Sequence, residues 1–302
     1  MNTRPDFLIV GMARSGTLWA SAALNEHPDI ACFPSMPVRT TSSEHRLGEM
    51  HFFNTLASLE PNSNKARTRP LSDFLTKYGN IFSDLVPLAQ NLPRKEFYAI
   101  AVERYRALCE KVRENKKMVG ESTPAYIFHL DFIDTLYPGI KKICSLRDPK
   151  DRVVSWHFNS ISKGKKTEQK ITEDFALDYV KDCILPEYES LLAYKGSVCC
   201  YTYEHMSRAP HEVVRNLLHY LNMDARNGII EQMVKNASFD EMRRRHAETV
   251  DTFAYEDKGE NAWLRKGVVG DWKNHMHSDI SEKIDSTVFP LHKKVFAKYN
   301  LI

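Results

Sequence analysis

The 302-residue sequence has no hydrophobic run long enough to cross a bilayer. The compact apolar run near its start, residues 7–10, is too short even for the core of a signal peptide. Cysteine occurs six times, at positions 32, 109, 144, 183, 199 and 200, and never as a Cys-x-x-Cys pair. That argues against a disulfide framework or a zinc site and for reduced, mostly buried thiols. No charge of one sign dominates: 42 Lys and Arg against 39 Asp and Glu leave +3 at neutral pH. This is too mild to imply nucleic acid, yet it suits a small anionic ligand. Internal repeats and low-complexity tracts are also lacking. The expectation is a soluble, cytoplasmic protein with no membrane span and no nucleic-acid partner. No oligomeric state is read from it.

Hydrophobic residues make up 42% and charged residues 27%, ordinary globular values that exclude wholesale disorder. No linker divides the chain, so residues 1–302 read as one domain. Apolar runs at 7–10, 30–33, 117–120, 140–146 and 197–201 read as strands. Helical spacing predicts helices over 15–26, 97–114, 173–194, 210–221, 228–235 and 278–298, and another after Pro149. Residues 34–64 read as irregular, 162–169 as a lysine-rich loop and 256–270 as a loop rich in glycine and charge. Alternating strands and helices predict an α/β fold, a central parallel sheet with helices on both faces.

Three segments carry chemistry. Gly11-Met12-Ala13-Arg14-Ser15-Gly16-Thr17-Leu18-Trp19 follows a strand and opens a helix, where backbone N–H groups and the helix dipole favour an anion. It resembles a P-loop but departs from it. Thr17 stands where the P-loop lysine would be, Leu18 where its metal-holding hydroxyl would be, and the cation is Arg14. A P-loop-type small-molecule kinase is therefore the disfavoured alternative. Arg147-Asp148-Pro149 ends another strand, with Ser155 about two helical turns on. Arg147 can fork onto a phosphate and Ser155 can donate to it. In a parallel sheet both strand ends reach the same edge. Arg265-Lys266-Gly267-Val268-Val269-Gly270-Asp271-Trp272-Lys273 offers two glycines and several cations.

Taken together, these segments resemble the sulfotransferases that use 3′-phosphoadenosine 5′-phosphosulfate (PAPS), a family with a P-loop NTPase-like fold. Arg14 to Trp19 resembles the family's 5′-phosphosulfate loop. Arg147 through Arg152, Ser155 and His157 resembles its 3′-phosphate motif. Arg265 to Lys273 matches its C-terminal signature, Tyr203-Glu204 its Tyr-Glu element, and Ser238-Phe239-Asp240-Glu241-Met242 its Ser-Phe-x-x-Met segment. The resemblance implies transfer of a sulfuryl group from PAPS to a hydroxyl, or second an amine, of a small-molecule or carbohydrate acceptor. The product is 3′-phosphoadenosine 5′-phosphate (PAP), and no metal is required. Arg14 would meet the sulfuryl group, and Ser15, Gly16, Thr17 and Leu18 the 5′-phosphate. Arg147, Ser155, Arg265, Lys266 and Gly267 would bind the 3′-phosphate. Trp19, Phe239 and Tyr203, with Ser238 beside them, would hold the adenine.

Glu49-Met50-His51-Phe52-Phe53 resembles the Glu-x-His-Phe-Phe segment of the glycan-sulfating, heparan sulfate type branch, where the glutamate is the base. Glu49 is thus the candidate base, with His51 and His45 as alternatives, because the phenol and steroid branch uses a histidine. Gly120-Glu121-Ser122-Thr123-Pro124-Ala125-Tyr126 resembles another segment of the glycan branch, with Ser122 in place of its lysine. Residues 34–96 are expected to shape the acceptor side and 256–270 to form a cofactor lid. His275-x-His277 has metal-like spacing but no third ligand. A nucleotide-binding module without activity is the remaining alternative.

Overall fold

Five short runs become the strands β1 (Phe7–Gly11), β2 (Ile30–Phe33), β3 (Met118–Ser122), β4 (Lys141–Leu146) and β5 (Cys199–Thr202). The computed structural model describes residues 5–33, 49–64, 67–162, 170–247 and 266–301. His45, the lysine-rich run at 163–166, Arg265 and positions 256–265 of the expected lid lie outside the described residues. The strands pair in parallel in the order β2-β3-β1-β4-β5. Most of their residues are buried, as a parallel sheet covered on both faces requires.

The period-two alternation of a strand splits the core into two layers. Leu8 and Val10 of β1, with Cys144 and Leu146 of β4, pack into one cluster. Phe7 and Ile9, with Ile143, pack into the other. Helices Arg94–Arg113, Pro149–Ser162 and Ser278–Lys298 cover the first cluster. Helices Thr17–Asn25 and Pro210–Leu221 cover the second. The chain is a single α/β domain with helices on both faces of its sheet. β1 lies between β3 and β4, so the strand order reverses beside it. The crevice outside the carboxyl ends of such strands is where α/β folds bind ligands.

Helices Leu71–Phe82, Leu85–Asn91, Leu130–Leu136 and Phe239–Ala247 were not read from the sequence, and three further elements differ from that reading. The first helix begins at Thr17, two residues later than expected, because Met12 to Gly16 are used in a loop with left-handed residues. Residues 34–64 are not wholly irregular: Phe52–Ala57 is a helix with every residue buried. Its polar residues Asn54 and Thr55 are buried with the rest, and six residues are too few for a helical period to stand out in the sequence. The continuous helix expected over 173–194 is instead Glu173–Tyr179, a π-helical turn Val180–Ile184, and Leu185–Ala193. Pro186 has no N–H to give the Asp182 carbonyl four residues back. That carbonyl accepts from the Arg67 guanidinium.

Candidate functional site

The loop after β1 is built from backbone that most side chains avoid. Arg14 has φ 69° and Gly16 φ 87°. At Gly16 a Cβ would lie 2.6 Å from the Tyr203 ring, so glycine is needed for space as well as conformation. The loop is tied to β4: the Met12 N–H donates to the Ser145 carbonyl at 3.3 Å, and the Ser145 hydroxyl donates to the Ser15 carbonyl. Gly16 also sits at the N-cap of helix Thr17–Asn25 and offers it no side-chain oxygen, leaving the positive helix end open to an anion. Ser15 is fully buried, and its hydroxyl oxygen has no hydrogen-bond partner among the described residues.

The end of β4 comes to the same place. Arg14 Nε donates to Ser155 Oγ at 3.0 Å, across 141 residues of sequence. The Arg147 guanidinium donates to the Arg14 carbonyl at 3.2 Å and to the Val268 carbonyl at 3.4 Å. It lies 4.3 Å over the Tyr203 ring, within the range of a cation–π contact. Asp151 is 3.9 Å from it. Arg147 Nε is buried without a partner among the described residues. β5 delivers Tyr203, whose hydroxyl donates to the Gly267 carbonyl at 3.0 Å. Burial pushes the Tyr203 phenol up, while the Arg147 charge opposes that shift.

The third stretch closes over these groups. Gly267 has φ 67°, and a Cβ there would lie 2.5 Å from the Phe239 ring. Asp151 accepts from the N–H groups of Gly270 and Trp272 at 2.7 and 3.0 Å, which pins this stretch to helix Pro149–Ser162. Lys266 Nζ is 3.3 Å from Asp271. The structure thus brings together Arg14, Ser15, Gly16, Arg147, Ser155, Tyr203, Phe239 and Gly267. Trp19 is buried against Tyr201, ring centroids 6.2 Å apart. Thr17 is buried and Leu18 half-buried. Ser238 Oγ accepts from the Glu241 N–H at 3.4 Å, at the start of helix Phe239–Ala247.

Beside β1, the end of β3 supports the Glu49 segment. The Glu49 carboxylate is 3.4 Å from His51 Nε2, and their side chains are 35% and 16% exposed. The Tyr78 hydroxyl donates to the Glu49 carbonyl at 3.0 Å. His51, at φ 56°, is the N-cap of helix Phe52–Ala57. The Phe52 N–H donates to the Tyr126 hydroxyl at 2.9 Å, and that hydroxyl donates to Glu121 at 2.8 Å. Glu121 also accepts from Thr123 at 2.6 Å and from Tyr105. Burial raises the Glu121 pKa, while the hydroxyls and the nearby His51 pull it back in part.

Two functional-looking residues escaped or misled the sequence reading. Glu121 was read only as part of a motif, although it anchors the segment that carries Glu49. Arg152 belongs to the stretch that resembles a 3′-phosphate motif, yet it is fully buried and turned inward to Glu187 at 2.6 Å. A charged residue in the helix turn just after Arg147 gives no sequence signal of that inward direction.

A family profile described as "Sulfotransferase domain" matches residues 4–295. Cytosolic sulfotransferase 16 of Arabidopsis thaliana is 27% identical over 169 residues, 50% of each chain. Sulfotransferase 1E1 of Bos taurus is 29% identical over 150 residues, 46% of this chain and 50% of the relative. The chain spans about half the length of the curated relatives it matches. Among solved structures, mouse sulfotransferase SULT7A1 complexed with PAP superposes with a TM-score of 0.55 at 17% identity, covering 97% of this chain and 84% of that one. That likeness concerns the fold, which is P-loop-like. With a profile spanning nearly its whole length and that fold beneath the converging loops, the chain belongs to the sulfotransferase domain family.

Proposed function

We propose that the chain is a PAPS-dependent sulfotransferase that moves a sulfuryl group to a hydroxyl, or second an amine, of a small-molecule or carbohydrate acceptor and releases PAP. One observation carries this reading. Arg14 and Arg147, from two strand ends, meet at a loop where Ser15 Oγ and Arg147 Nε are buried without partners among the described residues. Buried polar groups are nearly always bonded, so these two fit an anion that the left-handed loop and the open helix end also favour.

In this reading the N–H groups of Ser15, Gly16, Thr17 and Leu18, with the Ser15 and Thr17 hydroxyls, hold the 5′-phosphate. Arg147 and Ser155 hold the 3′-phosphate, joined by Arg265, Lys266 and Gly267. Trp19, Tyr203 and Phe239 flank the adenine, since aromatic faces bury area with defined geometry. Ser238 caps the helix that presents Phe239. Arg14 meets the charge that develops on the leaving oxygen; always protonated, it acts as a fixed charge and not as an acid. A sulfuryl group carries less charge than a phosphoryl group, so side-chain cations and in-line alignment can supply the stabilisation. Glu49 takes the acceptor proton as the acceptor oxygen bonds to sulfur and the bond from sulfur to PAP breaks. His51 is the alternative base.

Residues 34–96 are assigned to the acceptor side. Residues 256–270 are assigned to covering the cofactor, supported by the seat of Gly267 between Tyr203 and Phe239. The Glu49 segment favours a relationship to the glycan-sulfating branch, with Ser122 departing from its lysine. The name of the Arabidopsis relative supports a cytoplasmic setting.

Thermal shift in the presence of PAP, AMP and ATP tests the nucleotide site. At a ligand concentration of 100 times Kd, binding adds about 2.7 kcal/mol to stability. PAP should raise Tm clearly more than AMP or ATP at equal concentration. Equal shifts for PAP and AMP would remove the 3′-phosphate site and the donor assignment with it.

A further inference from the structure

Beneath the loop lies an ion pair that the reaction does not use directly. Arg152 is fully buried, and the Glu187 side chain is only 5% exposed. Burial opposes the Arg152 charge most strongly, but the Glu187 carboxylate at 2.6 Å, together with Tyr179 and Tyr188, more than offsets it. Replacing a buried ion pair by apolar residues is often neutral for stability or better, so stability alone is a weak reason to keep this one. What the pair does is specific. Arg152 Nε donates to the Ala13 carbonyl at 3.0 Å, and the Ala13 backbone opposes the burial-raised pKa of Glu187. The Ala13 carbonyl is therefore held by Arg152, which Glu187 anchors. The remaining Arg152 nitrogens reach Met12 Sδ at 3.1 Å and the Tyr179 hydroxyl at 3.5 Å.

Ala13 precedes Arg14, whose left-handed backbone is unfavourable for a residue with a Cβ. Such a conformation persists where its surroundings over-determine it. The π-helical turn serves the same end. Eight residues of ordinary helix, at ~100° each, would turn Glu187 ~80° away from the face of Tyr179. The wider turn at Val180–Ile184 takes in extra residues and lets both side chains reach Arg152.

We propose that Arg152 and Glu187 are positioning residues for the nucleotide loop: they grip Ala13 from beneath, fix Arg14 in its left-handed state, and so set affinity for the 5′-phosphate without touching it. The inference rests on the nucleotide reading above. It predicts a selective loss, because the 3′-phosphate groups are not held by the pair.

The test is calorimetric titration of the full chain with PAP and with adenosine 3′-phosphate, which lacks the 5′-phosphate. The double variant Arg152→Met/Glu187→Met should fold. Its PAP affinity should fall by about tenfold or more, the loss typical when outer partners of a ligand-holding group are removed. Its affinity for adenosine 3′-phosphate should stay near that of the wild type. A general distortion would weaken both ligands alike, and that result overturns the proposal, as does unchanged PAP binding. If the double variant does not fold, Glu187→Gln is read in the same way, and wild-type PAP affinity there overturns the clamp. A wild-type chain that binds neither ligand removes the nucleotide reading itself and the clamp with it. A wild-type chain that binds both, with variants that lose neither, removes the clamp alone.

Discussion

Glu121 is fully buried at the end of β3 and accepts hydrogen bonds from Thr123, Tyr105 and Tyr126. Burial holds its pKa above the ordinary glutamate value of 4.5 despite those bonds. Between 4.5 and the raised folded value, the folded chain keeps a proton that the unfolded chain has released. The native state then binds more protons than the unfolded state, so stability falls as pH rises through that window. Glu187 is raised by burial as well and contributes with the same sign. Glu121→Gln has no proton to lose. The difference in Tm between wild type and variant should therefore shift in favour of the variant as pH rises above 4.5. A difference that stays constant with pH would show that this carboxyl does not titrate differently on folding. Glu121 also marks the limit of what single residues disclose. Arg14, Gly16, Arg147 and Gly267 were legible because each sits in a short motif. The role of Glu121 depends on Tyr105, 16 residues away in sequence, and that of Arg152 on Glu187, 35 residues away.

Secondary structure was read at many, but not all, of the elements that a local pattern governs; helices Leu71–Phe82 and Phe239–Ala247 were missed. All five strands were readable as apolar runs, and helix Pro210–Leu221 as a proline start followed by a periodic stripe. The helix Phe52–Ala57 was not, because six residues are too few to show a helical period, and the stacking of Phe52 on Tyr105 at 4.4 Å is a tertiary contact. Helix Phe239–Ala247 did carry a signal. Ser238 followed three residues later by Glu241 is the pattern of a capping box, and the Ser238 hydroxyl accepts the Glu241 N–H. Ser238→Ala should cost about 1 kcal/mol of stability, a fall in Tm of roughly 2–4 °C. If Ser238 acts as a cap, the stabilisation given by PAP should be unchanged. A fall in PAP affinity with unchanged Tm would make Ser238 a direct contact to the nucleotide instead.

At the scale of the molecule, the sheet divides the work. β1, β4 and β5 deliver Arg14, Arg147 and Tyr203. β3, on the other side of β1, delivers Glu121 and through Tyr126 the turn that carries Glu49 and His51. Topology could be anticipated from strand–helix alternation, since parallel strands send their carboxyl ends to one edge. The proposed division between a nucleotide side and a base side could not, because it depends on β3 and β4 flanking β1. It leads to an uncoupling prediction. Glu49→Gln keeps the shape of the side chain and removes its basicity. With an acceptor found by screening labelled PAPS, kcat should fall by about 10²–10⁴-fold, the usual contribution of a general base. The Tm gain from PAP should stay as in the wild type, because the groups proposed to hold the nucleotide come from other strands. His51→Gln is the companion variant. If it abolishes turnover while Glu49→Gln does not, the base is the histidine. If Glu49→Gln loses PAP binding together with turnover, the two sides are coupled through β1, and the assignment of separate roles to β3 and β4 fails.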